Sequence, residues 1–156
     1  MIKKLLIAFC ALFVLSGCAK GKKGLSSDEE GGNDYADSTT SEFLADGISN
    51  RVYFNFDSSE LDNDSKETLK QQAEWMKSHE SVSFVIEGHC DSRGTVEYNL
   101  ALGERRADMA KRFLVSLGVD ASRLEVVSYG KERPAALGEG EEVHKLNRRS
   151  VTVIRK

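Results

Sequence analysis

The chain has 156 residues, 40% of them hydrophobic and 30% charged, with a formal net charge of -3. That length and balance favour one globular domain with appendages, and without a basic excess no nucleic-acid partner is predicted. One Pro and 13 Gly exclude a collagen-like or proline-rich chain.

Met1 to Lys4 is a short basic start, and Leu5 to Leu15 is an apolar run. The run is shorter than the ~20 residues needed to span a bilayer, but it has the size of a secretory hydrophobic segment. It ends in Leu15-Ser16-Gly17-Cys18, which looks like a bacterial lipobox. Residues 1–17 are therefore predicted to be a signal peptide, and Cys18 the lipidated residue. Ala19, in place of an Asp, favours the outer membrane, with the lipid as anchor and the domain facing the periplasm. Cys10 would leave with the signal, so Cys90 is the one thiol expected in the domain and no internal disulfide is predicted. Residues 18–45 read as the acylated Cys and a flexible tether, because Lys, Gly, Ser, Asp and Glu without an apolar period cannot bury enough surface to fold. As a coil it would reach about 30 Å.

The domain is expected over 46–156. Val52, Phe54 and Phe56 alternate with polar neighbours and predict a strand. Asp64 stands three residues before Glu67, a capping-box spacing, and predicts a helix from about Ser65 to Ser78. Val82 to Glu87 is a second strand, Val96 to Leu117 a second helix with Gly118 as its stop, and Leu124 to Ser128 a third strand. Gly130 to Lys145 reads as a loop with at most a helical turn, and Ser150 to Arg155 as the last strand. Strand–helix–strand units in this order predict an α+β, two-layer α/β sandwich with the helices packed on one face of a small four-stranded sheet.

On the second helix, Leu102, Met109, Ala110, Phe113 and Leu117 form an apolar stripe with a gap at Arg106. Arg106 is expected on or beside the buried face, where it needs an anionic partner. Arg105, with Asp108 and Arg112, belongs to another face and to solvent. Asp91 lies just past the second strand, where α/β sheets form crevices. Asp91 and Arg106 there suit either a structural ion pair or a site for a zwitterion, a carboxylate for its ammonium and a guanidinium for its carboxylate. His89, Cys90 and Asp91 do not suggest a metal site, since alternation turns Cys90 away from its neighbours. No cofactor is called for. With no nucleophile motif, zinc motif or phosphate loop, the chain is not predicted to be an enzyme. Asn147-Arg148-Arg149 is expected to be structural or solvated.

"VYFNFDSSEL", "EGHCDSRGTVEYNLALGERRA", "VSYGKERPA" and "NRR" together resemble the OmpA-like peptidoglycan-binding domain family, from about Arg51 onward. The lipobox and tether resemble those of the family's lipoprotein members. The resemblance implies a βαβαβ-type fold with a mixed sheet. It also implies non-covalent binding of the diaminopimelate side chain of the peptidoglycan stem peptide. The family's ligand Asp and Arg fall on Asp91 and Arg106. Phe56 and Asp57 match the far wall of its pocket, and Asn99 and Leu102 match positions that shape the binding loop. Cys90 stands where the family often has Thr or Ala. The lipoprotein members work with TolB and other Tol proteins, so the resemblance implies a Tol-system role in envelope integrity and cell division. Family members in motors carry a transmembrane helix and those in porins a barrel, patterns not found in this sequence.

Overall fold

The computed structural model describes residues 46–155, so the predicted signal segment, Cys18 and the tether lie outside the described residues. The strands are β1 (Arg51–Tyr53), β2 (Ser83–His89), β3 (Leu124–Gly130) and β4 (Arg149–Arg155). They form one mixed sheet in the order β1-β4-β2-β3. Helix α1 (Asn63–Ser78) links β1 to β2, and α2 (Val96–Ser116) is the crossover between the parallel pair β2 and β3. The short helix α3 (Glu141–Asn147) leads into β4, which runs antiparallel to both of its neighbours.

Side-chain alternation assigns the two faces of the sheet. Thr152 on β4 donates to Gln72 on α1 (2.9 Å), and Ser128 on β3 donates to the Leu100 carbonyl on α2 (2.7 Å). Thr152 is in register with Ile86, and Ile86 with Val126, so both helices cover one face. Between them lies the core, built on Leu69, Met76, Phe84, Ile86, Ala110 and Leu114. Each large apolar side chain so buried contributes about 1.5–3 kcal/mol. The fold is the predicted two-layer sandwich.

Apart from small shifts at the strand ends, four details differ from the sequence reading. The cap of α1 is Asp62, which accepts from the Ser65 N–H (2.8 Å), so the helix begins at Asn63 rather than Ser65. The inward stripe of α2 runs through Asn99, Leu102, Arg106, Ala110 and Leu114; Met109 is 36% exposed and Phe113 only half-buried. α3 begins inside the predicted loop and runs past its end at Lys145 to Asn147, longer than the helical turn expected there. β1 ends at Tyr53, and Phe54 is buried while Phe56 is 59% exposed. Past Tyr53 the Phe54 N–H still reaches the Arg148 carbonyl (2.9 Å), and Asp57 then takes a left-handed conformation (φ 51°). Gly118 does follow α2 with φ 96°, as a helix stop requires.

One close approach sets where α2 sits. A Cβ on Gly88 of β2 would lie 1.8 Å from the Gly103 carbonyl oxygen of α2. Strand and helix backbones are therefore in contact at this level, which brings the first half of α2 against the end of β2. The loop after β2 has to turn sharply between them.

Candidate functional site

That turn closes one side of a cavity of about 150 Å³. The β1–α1 connection supplies Phe56 and Asp57, the β2–α2 turn supplies Asp91, and α2 supplies Asn99, Leu102 and Arg106. All six residues singled out from the sequence line this one cavity. Cys90, Arg93, Gly94 and Tyr98 complete it.

Arg106 is fully buried and Arg105 is exposed, as the helix wheel requires. The expected anionic partner of Arg106 is not an ion pair among the described residues. Its guanidinium donates instead to three main-chain carbonyls: Ser58 through Nε (2.8 Å), His89 through Nη1 (2.9 Å) and Asn55 through Nη2 (3.1 Å). Burial lowers its pKa, but an arginine stays charged at neutral pH. A guanidinium has five N–H donors, so the three carbonyls leave two, beside the Cys90 thiol.

Asp91 is 4% exposed and carries the partners that Arg106 lacks. Arg93 donates to it from its backbone N–H (3.2 Å), Nε (3.3 Å) and Nη2 (2.5 Å). Arg148 adds Nη1 at 3.2 Å. Burial alone would raise the Asp91 pKa; the hydrogen bonds from Arg93 and Arg148 outweigh it and hold the carboxyl below its ordinary value. Arg148 is itself buried, donating to the Phe54 carbonyl (3.0 Å) and to Glu141 (2.6 Å). The structural ion pair weighed for Asp91 thus exists, but with Arg93 and Arg148 rather than Arg106.

The remaining walls are braced locally. The Asn99 amide donates to the carbonyls of Arg93 (2.7 Å) and Thr95 (2.9 Å), and Thr95 caps α2. The Tyr98 hydroxyl donates to Asp57 across the cavity mouth. Asp57 is in a backbone conformation that non-glycine residues rarely adopt, and such strain clusters at ligand sites. The alternation argument fails at Cys90, because β2 ends at His89. Cys90 turns into the cavity wall beside Asp91, and its thiol donates to the Asn99 carbonyl (3.3 Å). Burial pushes that thiol's pKa up, away from a reactive thiolate. His89 lies apart, against Tyr129. Among the described residues no His, Cys, Asp and Glu cluster has metal-site geometry.

The sequence reading missed Arg93, Tyr98, Glu141 and Arg148. Arg93 was within reach, because an Arg two residues after a buried Asp in a turn can fold back onto it. Arg148 was not, since its contact with Asp91 spans 57 positions and depends on β4 lying beside β2. Of the two readings of Asn147-Arg148-Arg149, the structural one holds: all three are buried, and the Asn147 amide clamps the backbone at Ala135 and Ala136.

A two-layer sandwich with a charged cavity at the C-terminal end of β2 is a defined class. The sequence profile of the OmpA family matches residues 53–148. A peptidoglycan-associated lipoprotein of Mesorhizobium japonicum is 42% identical over 96% of this chain and 90% of its own. That of Agrobacterium fabrum is 41% identical over 95% and 85%. The crystal structure of the peptidoglycan-associated lipoprotein from Burkholderia pseudomallei is 44% identical, with a TM-score of 0.66 over 68% of this chain and 90% of that one. The C-terminal domain of Helicobacter pylori MotB, at 21% identity and a TM-score of 0.61, shares the fold. The chain belongs to the OmpA family, among its peptidoglycan-associated lipoproteins.

Proposed function

We propose that this protein is an outer-membrane lipoprotein that binds the diaminopimelate stem peptide of peptidoglycan without covalent attachment. Lipid on Cys18 holds one end in the outer membrane and the domain holds the wall. Action with TolB and other Tol proteins in envelope integrity and cell division follows from the same kinship. Binding, not catalysis, is the activity.

One observation carries the reading. A single cavity is lined by both the Asp91 carboxylate and, on the facing helix, the Arg106 guanidinium, which makes no ion pair among the described residues. Diaminopimelate ends in a carbon bearing both an ammonium and a carboxylate. Its carboxylate meets the spare donors of Arg106 and its ammonium meets Asp91. The names of the relatives, associated with peptidoglycan, support the wall as the binding partner.

Calorimetry with two muropeptides tests it. The diaminopimelate form should bind and free diaminopimelate should compete, while the lysine form, which lacks the terminal carboxylate, should be weaker by about 2–5 kcal/mol. Equal affinity for the two would overturn the reading.

A further inference from the structure

The acceptor sites of Asp91 are fully subscribed. A carboxylate offers about four lone-pair directions. Oδ1 accepts from the Arg93 backbone N–H and Nε, and Oδ2 from Arg93 Nη2 and Arg148 Nη1. An ammonium cannot join this carboxylate without removing a donor. Arg148 is not free to leave: its side chain is 4% exposed and is fixed by the Phe54 carbonyl and Glu141. The Arg93 side chain is 39% exposed, at the mouth.

Arg93 also has somewhere to go. Its guanidinium carbon lies 4.0 Å above the Phe56 ring. Its Nη2 is 3.6 Å from Oε2 of Glu141, whereas Arg148 uses the other oxygen, Oε1. Glu141 therefore keeps one oxygen for Arg93 when Asp91 gives it up. A short movement exchanges one carboxylate for another, with the aromatic face beneath throughout.

We propose that Arg93 is an internal rival of the ligand's ammonium for Asp91, and that it yields by transferring to Glu141. The inference rests on the diaminopimelate reading and makes Arg93 a determinant of affinity, held against the ligand rather than for it. The opposite arrangement, Arg93 staying in place to grip a ligand carboxylate, predicts the opposite sign.

The experiment is a calorimetric cycle on the intact domain with a diaminopimelate muropeptide. Arg93→Gln should bind about two- to fivefold more tightly than wild type, the range a partly exposed ion pair supports. Glu141→Gln should bind more weakly, because the released Arg93 has lost its second carboxylate. In the double variant that weakening should vanish. Circular dichroism checks that each variant is folded. Equal or weaker binding by Arg93→Gln overturns the rivalry. A Glu141→Gln loss that persists without Arg93 overturns the transfer, since Glu141 would then act only through Arg148. If wild type itself ignores the muropeptide, the functional reading fails first and the inference falls with it.

Discussion

Arg106 and Arg149 are both buried, both held by main-chain carbonyls, and neither forms an ion pair among the described residues. They occupy different surroundings. Arg149 projects from the helix-free face of β4, where it donates to the carbonyls of Asn147 (3.4 Å) and Arg133 (3.2 Å). Its Nε has no hydrogen-bond partner, and burial and the nearby Arg51 charge bring its pKa down to about 10. Arg106 instead ties the β1–α1 connection to the end of β2 at three good distances and lines a cavity. Burial of a charge does not by itself mark a ligand site. A buried charge that also lines a cavity is the candidate for one.

The sharpest way to break this contrast is Arg106→Ala. It should abolish sedimentation with purified peptidoglycan. It should also lower stability by about 3 kcal/mol or more, because three carbonyls lose charge-assisted partners, as urea unfolding would read. A variant that keeps its unfolding midpoint would demote Arg106 to a bystander of the loops. Asp91→Asn comes next. Weakening a buried, doubly paired carboxylate should cost about 2–5 kcal/mol in ligand binding. The pH dependence has a definite sign. A carboxyl held below its ordinary value lends its full stabilisation above about pH 4 and loses it as the pH falls through the lower folded value. Unfolding followed from pH 6 down to 2 should show this loss in wild type and less of it in Asp91→Asn.

Arg149→Met sharpens the comparison from the other side. Replacing a buried, poorly satisfied charge by an apolar chain of similar length is often neutral or stabilising. Peptidoglycan binding should be unchanged, and the urea midpoint equal or higher. A loss of binding would mean that the helix-free face communicates with the cavity. The smallest effect belongs to Arg105→Ala. This exposed neighbour of Arg106 should shift binding by a few tenths of a kcal/mol in the same sedimentation assay.

Periodicity carried the fold well wherever a residue's fate depends on neighbours three or four positions away. It separated Arg105 from Arg106 and located both long helices. It missed Asp62 as the cap because the nearby Asp64 and Glu67 offer the same spacing by chance. It misplaced Phe56 because alternation continues in the sequence after the strand has left the sheet. The partners of the charges were the least legible part. Arg106 was expected to find a carboxylate and found carbonyls of residues 48 and 51 positions away. A guanidinium accepts either solution, and only the closed fold decides between them. Phe56, Asp57, Asn99 and Leu102 came from family resemblance; their assembly around one cavity is a property of the fold that spacing alone did not contain.

The central position of β4 has a consequence for how the cavity comes into being. β1 reaches the rest of the sheet only through β4, and Phe54 and Arg148, 94 positions apart, bond each other in both directions around that strand. Closing so long a loop is entropically slow. The charged wall of the cavity therefore depends on contacts between residues far apart in sequence: a chain that has not placed β4 beside β2 lacks the Arg148 bond to Asp91.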